Sequence, residues 1–366
     1  MTAAVSLSDR AVLREAPDAA AAPTRIADDM AMLRAAAELT RDLNPPKPLV
    51  YWGDLLISCA LGYGALAVAI LLANPWVMAV AVVIAVLALY RAGSFIHELT
   101  HIRHASVPWF RFGWNALVGV PQMIPSFMYE GVHSLHHART RYGTAEDPEY
   151  LPLALMKPWT VPVFVVVAAL APIAMIIRFG VLSPLAALFP SIRALVIARY
   201  SSLSINPDFR RRAPEGELAQ QWRWQAAAAS LWAITLVSLT IAGIIPLKAF
   251  LVFIGVASGV MVINQVRTLV AHLWENDGEV LTQTAQYLDS VNVPPPGMLP
   301  LLWAPVGLRY HALHHLLPGL PYHALAEAHR RLSGAMAAES PYHRANYRSL
   351  TGLVVRLVNK SGRVAV

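Results

Sequence analysis

Long apolar stretches separated by short polar turns run along most of the chain. A helix needs about 20 predominantly apolar residues to cross a bilayer. Four stretches meet this length, and they form two pairs. The first pair, 53–73 and 76–96, is joined by the turn at Asn74–Pro75, and the second pair, 226–245 and 249–270, is joined by the turn at 246–248. The pattern predicts an all-α integral membrane protein with four transmembrane helices in two hairpins.

Two further apolar regions carry residues that argue against a straight spanning helix. Region 158–198 contains Pro158, Pro162, Pro172, Pro184 and Pro190, and region 106–128 contains Arg111, Asn115, Pro121 and Pro125. A proline in a helix interior removes a backbone hydrogen bond and kinks or breaks the helix. We therefore expect interfacial or partly inserted segments in both regions.

The ends of the chain differ in pattern from the part between them. Residues 1–48 carry early charges and no apolar core, which does not match a secretory signal peptide. We expect a mobile N-terminal tail over 1–48 with a short amphipathic helix within 25–43. The membrane domain is then 49–345, and 346–366 is a C-terminal tail.

Composition supports the membrane assignment and limits the function classes. The chain is 56% hydrophobic and 14% charged, whereas soluble domains carry roughly 25% charged residues. The net charge of +7 is expected from basic loops rather than from nucleic-acid binding. The single cysteine, Cys59, excludes an intrachain disulfide and a thiolate metal cluster.

The distribution of basic residues predicts the orientation. Nine arginines fall on the side that also carries the histidine motifs; they are Arg103, Arg111, Arg139, Arg141, Arg210, Arg211, Arg212, Arg330 and Arg331. The two hairpin turns contribute only Lys248. Cytoplasmic loops carry an excess of Lys and Arg, so we expect the histidine side and the N-terminus to be cytoplasmic.

Histidines supply the main chemical signal. His97 and His101 are spaced i, i+4, and His104 follows them. The pattern H-x-x-H-H then occurs twice; its members are His133, His136, His137 and His311, His314, His315. Spacings of three and four residues place side chains on one helix face, and neutral imidazole is a common metal ligand. For His323, His329 and His343 we expect structural or solvent-exposed roles.

The number of imidazoles bears on the kind of metal site. A structural zinc takes four protein ligands and a catalytic zinc takes three, so eight imidazoles indicate two metal centres. All-nitrogen ligation with open positions favours redox iron.

Two other classes of protein, a zinc protease and a metal-storage or transport protein, would explain part of this histidine pattern. Residues 97–101 read H-E-x-x-H, which is typical of zinc proteases with the glutamate as general base. An intramembrane zinc metalloprotease would use Glu98 as base and Asp277 near its third ligand, but it leaves both H-x-x-H-H motifs unused. A metal-storage or transport protein would place its histidines inside the membrane rather than at helix ends.

The motifs "HELTH", "HSLHH" and "HALHH", in this order, resemble the three histidine boxes of the membrane fatty acid desaturase and hydroxylase superfamily. "RYGTAEDPEYLPL" and "HHLLPGLPYHAL" resemble its bacterial desaturase-type members, and the resemblance covers about residues 50–345. It implies a cytoplasmic helical cap that carries the boxes, together with interfacial helices. It also implies two non-haem iron ions, with His272 in "RTLVAHLWENDGE" as the ninth ligand.

The resemblance further implies an O2-dependent fatty acyl desaturase in the bacterial inner membrane. The alternatives are a hydroxylase or a carotenoid-type oxygenase, because the same boxes serve each reaction. No His-Pro-Gly-Gly haem motif is present, so electrons are expected from a separate ferredoxin, rubredoxin or b-type cytochrome. Beyond the ligands no catalytic residue is predicted. Expected extra ligands or hydrogen-bond partners of the ligands are His104, Asp147, Glu149, Asp277 and Asn264.

Overall fold

All regular elements in the part of the chain that the structure describes, residues 26–363, are helices, and the only pairings of extended backbone are isolated bridges. The structure is a computed structural model. Five of its helices are long and apolar enough to cross a membrane; they are α2 (Pro48–Leu71), α3 (Pro75–His101), α6 with α7 (Thr160–Leu188), α9 (Gly216–Ile241) and α10 (Leu247–Leu269). The prediction of an all-α integral membrane protein is therefore confirmed.

The first hairpin has clear sequence signals at its turn. Pro48 begins α2, and Pro75 begins α3. The Asn74 side chain accepts hydrogen bonds from the backbone N–H groups of Trp76 and Val77. This arrangement caps the helix, because an N-cap side chain satisfies backbone donors that have no partner in the first turn.

The two hairpins pack side by side in the same orientation. Small and branched side chains fill their contact; they are Leu66, Ala85, Val86, Leu89, Val256 and Val260. The Lys248 ammonium in the second turn donates to the carbonyl of Leu72 in the first turn, at 3.3 Å. Both turns therefore lie at one end of the bundle, and the histidine-bearing ends of α3 and α10 lie at the other.

The prolines of region 158–198 do not interrupt α6. The helix runs over Thr160–Ile177, continues through a π-helical turn at Arg178–Leu182, and ends with α7 (Ser183–Leu188). Pro162 lies in the first helical turn, where its missing N–H has no helical partner to lose. Pro172 alone lies in the interior. The prolines therefore leave one continuous helical segment here, although the sequence argued against a straight helix in this region.

Short helices surround the histidine-bearing ends of α3 and α10. They are α1 (Met30–Leu39), α4 (Phe110–Trp114), α5 (His133–His136), α8 (Pro190–Tyr200), α11 (Gln283–Asp289), α12 (Pro300–Trp303), α13 (His311–Leu316), α14 (Leu325–Ala335) and α15 (Leu350–Arg363). A π-helical turn, Asn115–Gly119, continues α4. Single 3₁₀ turns lie between these helices at Arg41–Leu43, His104–Ser106, Ser126–Met128, Leu153–Leu155, Tyr322–Ala324 and Pro341–Ala345.

The segments assigned from the sequence to terminal tails contain packed helices. In α1, Met32 and Ala36 are fully buried against α14. In α15, Leu353 and Leu357 are buried, and Arg356 forms an ion pair with Glu275 at 3.0 Å. The helix α1 lies within 25–43 and packs on the body of the protein. Residues 1–25 of the expected tail lie outside the described residues.

Candidate metal centre

Three different elements carry the histidine motifs to one place. His97 and His101 occupy the last two turns of α3, which is a single 27-residue helix from the far end of the bundle. His133 and His136 of the second motif lie in the four-residue α5, His137 directly follows it as the C-cap, and the third motif begins α13. Since each motif lies on a helical turn, its histidines project from one side toward the others.

The nine predicted ligands form two groups in which the candidate ligand atoms all lie within 4.8 Å of one another. The first group is His97, His101, His133, His137 and His314, and the second is His136, His272, His311 and His315. Each H-x-x-H-H motif is divided between the groups. His133 and His137 go to one and His136 to the other, whereas His314 separates from His311 and His315.

In both groups the distances between Nε2 atoms are those expected around one metal ion. The Nε2 atoms of His272 and His311 are 3.0 Å apart, and those of His101 and His314 are 3.1 Å apart. Two imidazole nitrogens that each lie about 2.1 Å from one ion, at right angles, are about 3 Å apart. The donor set is nitrogen only, which suits iron with open positions. The residues present therefore fit two iron ions.

Two predicted carboxylates hold histidines of the second motif from outside. Asp147, which is fully buried, accepts from His136 Nδ1 at 2.9 Å. Glu149 accepts from His133 Nδ1 at 2.9 Å, and the hydroxyl of Tyr129 donates to Glu149 at 2.9 Å. A bond at Nδ1 fixes the tautomer that leaves Nε2 free for a metal. Asp147 and Glu149 thus lie where the sequence predicted supporting carboxylates.

Residues around His272 and His311 were not predicted. The Tyr142 hydroxyl lies 2.8 Å from His272 Nδ1 and donates to Asp289 at 2.8 Å. The buried Arg267 guanidinium lies 3.0 Å from His311 Nδ1. A charged residue inside an apolar helix is a recognised signal of function, so Arg267 could have been singled out. Tyr142 and Asp289 carry no such signal, because contact through the fold alone unites them.

Electrostatics keeps most of these imidazoles neutral. Burial, followed by neighbouring imidazoles, holds the pKa of His137, His314 and His315 well below its ordinary value. Burial also lowers the pKa of His136, but the Asp147 carboxylate outweighs it and the net pKa is raised. Burial raises the pKa of Asp289 to about 6. Neutral imidazole is the form that binds metals.

Three other candidate residues lie outside the two groups. His104 is 41% exposed and lies 3.1 Å from the Arg111 guanidinium. Asn264 and Asp277 are exposed. The structure therefore gives His104, Asn264 and Asp277 no contact with the nine histidines.

Glu98 lies beside the first histidine group, but its hydrogen bonds go to other residues. Its Oε1 atom is 4.0 Å from His97 Nδ1. Its Oε2 atom accepts from the Tyr51 hydroxyl at 2.5 Å and from the backbone N–H of Tyr322 at 3.2 Å.

Fold, buried histidine groups and supporting carboxylates define a membrane-bound metalloenzyme, and comparison with known proteins gives its family. The family model "Fatty acid desaturase" matches residues 73–349, so the chain belongs to the fatty acid desaturase family. It is an oxidoreductase, a di-iron oxygenase.

One curated relative indicates which reaction within the family the chain most resembles. The chain is 48% identical over 322 residues to a ceramide hydroxylase of Caulobacter vibrioides (strain NA1000 / CB15N), which covers 88% of this chain and 92% of the relative. The predicted superfamily is confirmed. Within it, this relative favours the hydroxylase alternative over the desaturase that the sequence placed first.

Proposed function

We propose that the protein hydroxylates a ceramide-type lipid in the membrane, with O2 and electrons from a separate protein. The observation that carries this proposal is the 48% identity to a ceramide hydroxylase along nearly the whole of both chains. In the net reaction, O2, two electrons and two protons yield one hydroxyl group on a substrate carbon and one water. Desaturation would use the same inputs and yield two waters.

We propose that the two histidine groups hold two iron ions, with the nine predicted histidines as ligands. Bound iron would supply activation of O2 and transfer of electrons. The protein's own residues hold the geometry: Asp147 and Glu149 orient His136 and His133, and Tyr142 with Asp289 orients His272. Oriented ligands keep the reacting atoms at fixed distances, which is the main way a protein assists cofactor chemistry.

We propose four membrane crossings, although five helices have the required length. The chain leaves the histidine end at Ala154, whose N–H donates to the carbonyl of Trp274, and returns at Leu203, whose N–H donates to the carbonyl of Met128. The return helix α8 has 11 residues, about 16 Å at 1.5 Å per residue. Since the hydrocarbon core is about 30 Å thick, these contacts support a partly inserted segment over 160–200. The histidine groups would then lie on the cytoplasmic face of the inner membrane.

The experiment is a product assay on the purified iron-loaded enzyme with ceramide, a reduced ferredoxin and heavy-oxygen-labelled O2. We expect a ceramide that carries one labelled oxygen, detected by mass spectrometry. His136→Ala is the control, since it removes a predicted ligand and should give no product. A product that has lost two hydrogens without gaining oxygen would establish desaturation instead.

A further inference from the structure

A buried glutamine with no polar partner lies in the loop that precedes the second histidine motif. The Gln122 side chain is 5% exposed, and neither its Oε1 nor its Nε2 has a hydrogen-bond partner anywhere in residues 26–363. Burial of an amide without hydrogen bonds is costly. Such a residue in a well-packed protein needs an explanation.

The Gln122 loop lies between the first-motif helix and α9. The Trp114 indole N–H, just before the loop, donates to the carbonyl of Ala92 at 2.8 Å, five residues before His97 on α3. Pro121 accepts from the indole N–H of Trp232 on α9 at 2.9 Å. These two bonds hold the loop between α3 and α9, on the side of His97 that is nearer to the hairpin turns. In the proposed topology this is the side from which a lipid in the bilayer would reach the histidines.

The local backbone is unusual for a loop of ordinary packing. A π-helical turn, Asn115–Gly119, precedes Gln122. Met123 follows it with a φ of +57° and is fully buried. Left-handed backbone at a bulky residue and π-turns both cost energy and concentrate at functional sites. The Met123 side chain belongs to an apolar cluster that also contains Phe127, Met128, Ala229 and Ala233.

A contrasting glutamine lies close by. Gln225 on α9 accepts from the backbone N–H of Phe127 at 2.9 Å and is 3.4 Å from the hydroxyl of Ser126. Its amide therefore has a structural task, because it holds the same loop. The Gln122 amide has no hydrogen bond of this kind among residues 26–363, although it is part of the same loop. This difference points to a ligand as the partner of Gln122.

We propose that Gln122 is a specificity-determining residue that hydrogen-bonds the secondary amide of the lipid substrate. This inference rests on the proposed ceramide hydroxylase function. A side-chain amide offers one acceptor and two donor hydrogens, which match the N–H and C=O of a ceramide. An acyl ester lacks the N–H, so Gln122 would discriminate against ester lipids.

The test replaces Gln122 by methionine, which keeps the volume but removes the polar atoms. We expect the KM for ceramide to rise about tenfold, as for the loss of one hydrogen bond in a buried site, with kcat nearly unchanged. The thermal unfolding midpoint without lipid should stay equal or rise, because a buried unpaired amide is removed. Gln225→Met is the matched control and should lower that midpoint.

A second experiment changes the lipid instead of the protein. N-methylated ceramide lacks the amide hydrogen, so it should raise the unfolding midpoint of the native protein less than ceramide does. The Gln122→Met protein should respond equally to both lipids. If Gln122→Met lowers the midpoint as Gln225→Met does, or leaves the KM and the ceramide response unchanged, the proposal is overturned. If the native protein neither binds nor oxidises ceramide, the proposed ceramide hydroxylase function is wrong, and the proposed role of Gln122 is wrong with it.

Discussion

At the scale of single residues, the carboxylates decide which histidine nitrogen is free to bind a metal. Asp147 is held rigidly itself, since it also accepts from the backbone N–H groups of Gly143 and Glu149 at 2.9 and 2.8 Å. The spacing of Asp147 and Glu149 behind the second motif could be read from the sequence. Tyr142 and Asp289 could not be assigned, because they meet the histidines only after folding. Arg267 did offer a signal in the sequence, because it is a charged residue inside an apolar helix.

Asp147→Asn should weaken metal retention. An amide holds His136 Nδ1 less strongly than a carboxylate does, and loss of such a partner typically costs about 10- to 100-fold in metal affinity. The measurement is iron per chain after dialysis against a graded chelator. Glu146→Gln is the matched control, since Glu146 is an exposed neighbour that pairs with Arg141. Equal iron retention in both variants would contradict the assigned role of Asp147.

Glu98→Gln separates the oxygenase from the protease alternative. Glu98 accepts hydrogen bonds from Tyr51 and Tyr322, and its other carboxylate oxygen lies 4.0 Å from His97 Nδ1. The glutamine retains an acceptor, so we expect product formation within about tenfold of the native rate. A general base would contribute about 10²- to 10⁴-fold. Complete loss of hydroxylation, with iron content and the unfolding midpoint both preserved, would contradict this structural role.

At the scale of elements, helix ends and proline positions explain both the agreement with the sequence and the differences from it. The turn at Asn74–Pro75 was predictable because capping is local. The continuity of α6 was not, since a proline acts differently in a first turn and in a helix interior. The α14 helix shows how packing sets the chemistry of a structural histidine. The ring of His329 is buried between Tyr342 at 2.9 Å and Ser333 at 3.3 Å.

His329 should contribute to acid sensitivity. Burial, together with the nearby His343 and Arg309, lowers its pKa from 6.5 to about 4. The unfolded chain then binds more protons than the folded chain between these values, so the stability from this group is full above pH 6.5 and is lost as the pH falls toward 4. His329→Gln should make the fall of the unfolding midpoint shallower in this window.

A second variant is His343→Gln, on the turn that packs against α14. Because the charge of His343 is one cause of the lowered pKa of His329, this variant should also make the fall shallower, but to a smaller extent. The histidines of the metal groups are common to both variants, so the difference between them does not come from those histidines. An unchanged pH profile in His329→Gln would show that this ring contributes nothing to acid unfolding.

At the scale of the whole molecule, parity of crossings links the topology to the site. The nine histidines come from the ends of both hairpins and from α5 and α13, and they meet at one end of the bundle. An even number of crossings must therefore separate the end of α3 from the end of α10. The proposed partly inserted segment over 160–200 satisfies this condition. The excess of arginine on the histidine side supports the proposed cytoplasmic location of that end.

Cysteine labelling tests the orientation. The native Cys59 is 5% exposed, so background reaction should be low. In cells with a permeabilised outer membrane, a membrane-impermeant maleimide should label Lys248→Cys in the hairpin turn but not Glu146→Cys beside the second histidine motif. Lysis should expose both. The opposite pattern in intact cells would place the histidine groups outside the cytoplasm.

The sequence by itself determined the membrane class, the helical hairpins and the eight histidines of the three motifs, because these depend on apolar length and on spacings of three and four residues within one helix. His272 was predicted only from the family resemblance. Tertiary structure alone decided how the histidines divide into groups of five and four, that His136 leaves its motif neighbours, and that His104, Asn264 and Asp277 lie apart. It also brought Arg267, Tyr142 and Asp289 to the histidines. It left the Gln122 side chain without a hydrogen-bond partner among residues 26–363. The physical reason is that local spacing fixes which face of a helix a residue occupies, whereas contact between distant segments follows from the packing of the entire chain.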